Sequence, residues 1–394
     1  MRRSRVNRIG MAVLSPVLVG CLLLGAYSMP AGAAAPQPYK IGVVLAATGV
    51  GSFLGAPEKK TVEMITEDVN KAGGIDGHPL EVILLDDESD ATKSSLAFKK
   101  LIKTDEVPLI IGPSRTGESM ADVGVAEQFQ VPNLSLGAAV TIIQPPDKRR
   151  WVFKLGNSDS DVVAKMFDYM KSKGISKIGI MTDNTGFGAS GRNELLKLAP
   201  QAGITVVADE RFGPQDTDLS AQLTKIRSAG PQAIVNWSIG PTQVISVKNW
   251  RELGMDAIPL YQSHGFANLK NVQLAGKAAE GVILPVGRSI LGPLLPDNDP
   301  QKAVVMGYTQ EYEAKFKEPV STFGGHAWDA MHLAMDALKA VGPDRAKIRD
   351  YLESKQGFVG CTGIFNFSAA DHNGLNKKDL LMVVVKNGNW ALAP

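Results

Sequence analysis

From Tyr39 onward, short apolar runs alternate with amphipathic stretches. KIGVVLAATG (40–49) predicts a strand ending in a turn, after which Val62, Ile65 and Val69 fall at helical spacing. A compact turn, Ala72-Gly73-Gly74-Ile75-Asp76-Gly77, leads into LEVILLDDESD (80–90), a strand ending in acids. A helix over 92–103, a strand over 107–112, a helix over 118–130 and a strand with its loop over 131–139 follow. After 151–155 the alternation restarts with helix 160–173, strand 177–183, helix 191–202 and strand 204–210. Helix 218–228, strand 233–238, helix 242–253 and strands 258–262 and 281–286 complete this part. The last third reads as helices over 301–317 and 344–354, with one between them carrying Trp328, Met331, Met335 and Leu338 on one core-facing side. Two strand-like pieces, 358–367 and 379–386, and a short polar end close the chain. This alternation is the pattern of βαβ units, so the expected fold class is α/β with doubly wound parallel sheets. The strands outnumber one comfortable sheet, and the restart near 156 predicts a second one.

Composition adds bounds. At 394 residues, 44% hydrophobic and 21% charged, the chain is ordinary for a globular protein and long enough for two cores. The formal charge is +2, and Arg2, Arg3, Arg5 and Arg8 lie in the first few residues; without those four the chain is near −2. Neither balance favours nucleic acid or an acidic membrane surface. Residues 1–35 read as an export signal: arginines, an apolar stretch over 11–24, then Ala31-Gly32-Ala33-Ala34-Ala35 as a small-residue cleavage pattern. A membrane anchor is the alternative, but Ser15, Pro16 and Gly20 break the run. Leu18-Val19-Gly20-Cys21 also has the look of a lipoprotein box, which would leave the chain anchored through Cys21. The other cysteine, Cys361, sits in an apolar stretch and reads as a buried structural thiol.

The stretch LIIGPSRTGES (109–119) is where a ligand is expected. An apolar strand feeds a helix through a turn with Ser114, Thr116 and Ser119, leaving the first helical N–H groups unpaired at the strand's carboxyl end. Those donors and the positive end of the helix dipole make an anion site, whereas an ordinary capped βα loop is the plainer alternative.

Two enzyme-like patterns compete. Gly112-Pro113-Ser114-Arg115-Thr116-Gly117-Glu118-Ser119 has phosphate-loop spacing, but Glu118 stands where a lysine would neutralise phosphate. Gly186-Phe187-Gly188-Ala189-Ser190-Gly191 matches GxGxxG with Asp209 and Glu210 about twenty residues on, the mark of an NAD site, yet Asp183-Asn184-Thr185 lengthen a turn that should be tight. His78, His264, His326, His332 and His372 form no HExxH motif, and Asp86-Asp87-Glu88 reads as a solvated strand end. No metal, cofactor or catalytic residue is expected.

With these motifs in order, the chain resembles the leucine/isoleucine/valine-binding type of periplasmic solute receptor of ABC transporters (type I periplasmic binding proteins). The resemblance rests on Thr48-Gly49, Asn70-Lys71-Ala72-Gly73-Gly74-Ile75-Asp76-Gly77, Ile110-Ile111-Gly112-Pro113-Ser114 and Ser135-Leu136-Gly137-Ala138-Ala139. It continues through Asp183 to Phe187-Gly188, Ala279-Glu280-Gly281-Val282 and Gly325-His326-Ala327-Trp328-Asp329-Ala330. It implies two doubly wound lobes joined by three crossovers, with lobe one at 38–156 plus 287–357 and lobe two at 157–286 plus 358–394.

The resemblance also implies that a small ligand's carboxylate is held by the loop 114–118, through Ser114, Thr116 and a charge partner in Arg115, and by Ala138-Ala139. Ala139 stands where the amino-acid receptors usually carry a hydroxyl, and Phe187 keeps the family's aromatic ring without its phenol. The acid that receives an α-ammonium maps near His264, which implies an apolar or aromatic carboxylate ligand lacking that group. Phe53 and Trp237 are candidate ring partners. The implied role is a monomeric periplasmic receptor that hands its ligand to an ABC permease and does no chemistry. An exported sensory ligand-binding subunit, or an NAD-dependent enzyme resting on the decoy glycines, are the alternatives.

Overall fold

The computed structural model describes residues 36–394; the expected export signal and Cys21 lie outside the described residues. The first sheet is built from β1 (Tyr39–Leu45), β2 (Leu80–Asp86), β3 (Ile110–Ile111), β4 (Asn133–Ser135) and β5 (Val152–Lys154), interleaved with α1 (Ser52–Lys71), α2 (Ala91–Lys103) and α3 (Thr116–Phe129). Its order is β2-β1-β3-β4-β5 and every pairing is parallel. Residues 41–46 are buried on both faces, as a strand covered by helices on each side must be. Ile41, Val43 and Leu45 point into one core, and Val44 joins Phe98 and Leu101 of α2 in the other. The alternation that reads as a strand thus also divides the two helical layers.

After β5 the chain forms α4 (Asp159–Ser172), β6 (Lys177–Asp183), α5 (Gly186–Leu198), β7 (Thr205–Phe212), α6 (Ser220–Ser228) and β8 (Ala233–Trp237). Next come α7 (Pro241–Glu252), β9 (Leu260–Gln262), α8 (Leu269–Ala275) and β10 (Ile283–Val286). These make a second sheet, extended at one edge by β13 (Leu381–Lys386) and β14 (Asn389–Leu392), which run antiparallel. Its order is β14-β13-β10-β9-β8-β6-β7, with one core against α4 and α5 and another reached by α6 and α7. The intervening segment supplies α9 (Lys302–Phe316), α10 (Thr322–Val341), α11 (Arg345–Ser354) and the small hairpin β11 (Phe358–Val359) and β12 (Ile364–Phe365).

The expected lobe boundaries need correction at two places. Phe365 and Phe367 pack in the first sheet's core, with Phe367 edge-on to Phe153 at 5.6 Å, so 358–367 stands with the first lobe, and the chain regains the second sheet only at β13. The apolar residues of that hairpin follow the nearest core, which a linear pattern does not reveal. Conversely, Leu291, Leu295 and Val305 pack with the second sheet's core, while Tyr308 and Tyr312 pack with Met64 of α1, so α9 straddles both lobes. Two crossing segments lie side by side. The Asn373 amide donates to the carbonyls of Lys154 (2.8 Å) and Gly156 (3.1 Å), and its oxygen accepts the Ser158 hydroxyl at 2.8 Å. The polar end expected after 386 is instead β14, whose Trp390 closes over the core.

Replacing Phe367 by Ala removes a fully buried ring from the first core and is expected to cost about 3–5 kcal/mol of unfolding free energy. Urea denaturation checks it; a loss within about 0.5 kcal/mol, the range of a surface change, would show that Phe367 is not part of a core.

Candidate functional site

Each sheet has a point where neighbouring strands are wound in opposite directions, between β1 and β3 in the first and between β6 and β8 in the second. Loops leaving the carboxyl ends of strands at such points form the natural ligand crevice of open α/β sheets. Here the two crevices meet. They line a partly open cavity of about 290 Å³. Leu54, Leu136, Ala138, Phe187, Ile239 and Phe323 provide its apolar lining. The lobes touch beside it: a Cβ at Gly186 would lie 3.5 Å from Gly117 Cα, so the tips of α3 and α5 abut.

On the first wall the chain must turn sharply after β3. Gly112 has φ +100°, and a Cβ there would lie 1.9 Å from the Val44 carbonyl oxygen, so only glycine carries the strand into the loop. Ser114 lines the cavity, and its hydroxyl accepts the Ala46 N–H at 3.0 Å and hydrogen-bonds Glu58, tying the loop to the end of β1 and to α1. The α3 N-terminus has no side-chain cap, so its first-turn amides are unserved by any cap, and Thr116 and Gly117 of that turn line the cavity. Thr116 Oγ1 is buried without a hydrogen-bond partner among the described residues. Arg115 does not stand free: it donates to Glu118 at 3.0 Å and to the Ser89 carbonyl at 3.2 Å. Its charge is already matched, which a reading of loop 114–118 by residue type could not see.

The second wall differs. Helix α5 is capped by the Thr185 hydroxyl, which accepts the Gly188 N–H at 3.2 Å. Asp183 accepts from the Thr185 and Ile239 amides, at 3.0 and 2.8 Å, and so joins the loops after β6 and β8. Phe187 faces the cavity with Trp237 stacked behind it at 5.7 Å, and His264 stands edge-on to both rings at 5.4 and 5.7 Å. From α10, His326 lines the same space.

Of the residues expected at the site, Ser114, Arg115, Thr116, Ala138, Phe187 and His264 line this one cavity. Ala139 does not; it is fully buried with Val123 and Ala126. Trp237 supports Phe187 from the core without lining the cavity. Phe53 lies outside as well, edge-on to Phe323 at 6.0 Å, with its ring beside Gly240 of the other lobe. The decoy glycines also find a use. A Cβ at Gly191 would fall 2.0 Å from the Trp237 indole nitrogen and one at Gly188 2.2 Å from the Asp183 carbonyl oxygen, so this run lets α5 sit against β6 and β8. Asp209, the would-be ribose ligand, is held by Arg192 at 3.0 Å.

Sequence reasoning missed Leu54, Ser89, Ile239, Phe323 and His326. Residues 89 and 239 follow β2 and β8, and the rule that ligands meet strand carboxyl ends could have flagged both. It also took the strand end at 86–88 as solvated, whereas Asp87 is fully buried.

Burial sets the protonation here. His264 and His326 are pushed down to about 3, first by desolvation and then by Lys154 and, for His264, by the other imidazole, so both are neutral near pH 7. His264 Nδ1 and both ring nitrogens of His326 lack partners among the described residues. On the acid side, burial raises Glu58 to about 8, Asp87 to about 7 and Asp122 to about 6. The folded histidine values lie below the unfolded value of 6.5, so their contribution is present above 6.5 and is lost as pH falls toward 3. The double variant His264→Asn, His326→Asn is therefore expected to lose less unfolding free energy than the wild type over that interval. Identical acid limbs in urea titrations would show that these imidazoles are not held neutral.

Fold and site together define a two-lobed ligand-binding protein with its cavity between facing strand ends. The family described as "Periplasmic binding protein" matches residues 38–389, and the chain belongs to it. It is similar, at 24% identity over 346 residues (86% of this chain, 87% of the relative), to the leucine-, isoleucine-, valine-, threonine- and alanine-binding protein of Pseudomonas aeruginosa. Among solved structures it is similar to an extracellular ligand-binding receptor from Rhodopseudomonas palustris HaA2, with TM-score 0.84, 28% identity, and coverage of 90% of this chain and 99% of that one. It is also similar to the branched-chain amino acid transporter substrate-binding protein LivJ of Streptococcus pneumoniae in complex with isoleucine, with TM-score 0.77, 26% identity, and coverage of 90% and 97%. The fold is accordingly that of the type I periplasmic binding proteins. Among the described residues no helix is long and apolar enough to cross a membrane.

Proposed function

We propose that this chain is an exported, monomeric periplasmic receptor of an ABC importer that captures a small carboxylate with an apolar or aromatic body and no α-amino group. The observation that carries the ligand class is the pairing across one cavity of the uncapped α3 tip, with the Thr116 hydroxyl, and the neutral imidazole of His264. Those groups donate hydrogen bonds to an anion. The acids at the cavity are already partly engaged: Glu118 pairs with Arg115, and Asp90, at the rim, accepts the Lys93 N–H of its own helix. Leu54, Leu136, Phe187, Ile239 and Phe323 suit the apolar body. Ligand docks on one lobe, the other closes on it, and the closed form is what a permease engages; the chain makes and breaks no covalent bond.

Matched pairs test the ligand class. Thermal shifts should be large with 4-methylpentanoate or 3-phenylpropanoate and small with leucine and phenylalanine, which add only the amine. The reverse order would sink the no-amine reading. Ser114→Ala and Thr116→Ala are each expected to weaken a bound acid by about 1–3 kcal/mol in calorimetric titrations. An unchanged dissociation constant would remove either residue from the site.

A further inference from the structure

Glu58, on α1 one turn past Leu54, is a fully buried carboxyl for which anion capture has so far found no use. Its Oε2 meets the Ser114 hydroxyl, and its Oε1 has no partner among the described residues. Ser114 Oγ also accepts the Ala46 N–H at 3.0 Å, and Ser114 is one of the residues lining the cavity. Two arrangements of hydrogens fit these positions. With Glu58 ionised, the Ser114 hydrogen is spent on the carboxylate, and the cavity meets only a hydroxyl lone pair backed by a buried negative charge. With Glu58 protonated, a hydrogen on Oε1 would be a stranded donor, whereas one on Oε2 is taken by Ser114. Ser114 then accepts from both Ala46 and Glu58, and its own hydrogen is released toward the cavity.

Resting on the anion-capture reading above, we propose that Glu58 is a positioning residue that, as a carboxylic acid, turns Ser114 into a donor for the ligand's carboxylate. Capture of an anion is thereby linked to one retained proton behind the cavity wall.

The surroundings of Glu58 favour the acid form. Asp87, from the end of β2, is the charged group that acts on it, and ionising Asp87 only adds repulsion. Beyond Asp87 lie Glu118 and Asp122, of the same sign. From α9, the Tyr308 hydroxyl reaches Thr61, further along α1, at 2.9 Å. The nearby cations are engaged elsewhere: Arg115 with Glu118 and the Ser89 carbonyl, Lys60 with Glu318 at 2.6 Å, Lys59 with Glu63 at 3.8 Å. No cation pairs with Glu58 among the described residues. Burial, the largest influence, pushes its carboxyl up to about 8, against the opposing pull of the Ser114 hydrogen bond.

The test follows binding of 4-methylpentanoate and 3-phenylpropanoate by calorimetry at pH values below and above 8, with the side-chain carboxyl carbons of glutamate labelled with ¹³C for NMR. Affinity of the wild type should fall about tenfold per pH unit above 8, the limiting slope for one linked proton. In Glu58→Gln the amide donates to Ser114 at every pH, so the fall should vanish. Ser114→Ala should bind weakly throughout, without that slope. The Glu58 carbon, assigned by its absence in Glu58→Gln, should resonate as a carboxylic acid at pH 7 and move in Ser114→Ala. Equal slopes for the wild type and Glu58→Gln, or a carboxylate resonance at pH 7, would overturn the assignment. If neither acid binds the wild type, the ligand class falls by itself, and the resonance alone decides the state of Glu58.

Discussion

A parallel sheet flanked by helices gathers all its helix N-termini at one edge, the edge where the strands end. This chain sets two such edges face to face, and the rest of the molecule follows from that opposition. The meeting requires small residues at the point of contact. Gly117 and Gly186 occupy the tips of α3 and α5, and Gly240 gives room to the Phe53 ring. The tips are not equivalent. Thr185 satisfies α5 internally, whereas α3 has no cap, so uncapped helix amides are found on the first lobe, while both lobes contribute rings to the lining, Phe323 and His326 from the first and Phe187 and His264 from the second.

The two halves of the site were unequally legible in the sequence. The 109–119 run announced itself because a buried strand, a turn and a helix start are all local patterns. His264 is reached only through family resemblance, and the one local pattern around Phe187, the GxGxxG run, points to a different ligand. Trp237 was recognised as aromatic surface, but its place behind Phe187 depends on Gly191 of another element, which admits the indole to the helix. Arg115 shows the opposite limit. Its residue type is right for an anion, and only the folded distance to Glu118 shows the charge already matched. The hairpin at 358–367 was placed with the wrong lobe because apolar residues specify that they are buried, not against what.

Electrostatically the cavity is quieter than its inventory of titratable groups suggests. Two histidines are held neutral, and the carboxyls of Glu58 and Asp87 are raised by burial, while Arg115 and Glu118 cancel. An anion entering such a space gains little from long-range attraction. Its stabilisation must come from short hydrogen bonds, which are directional and therefore selective in a way that a bare cation would not be.

The same arithmetic couples ligand to closure. Thr116 Oγ1 and His326 belong to one lobe, His264 to the other, and Thr116 Oγ1, His264 Nδ1 and both His326 ring nitrogens are buried without a hydrogen-bond partner among the described residues. Burying an unpartnered polar atom costs about 1–3 kcal/mol, so bringing the lobes together is disfavoured unless something between them takes up those bonds. A ligand whose acceptors reach both walls removes several such penalties at once, and it binds the open form without that gain. Differential affinity for the closed state therefore arises from groups left deliberately short of partners, and needs no strained hinge to supply it.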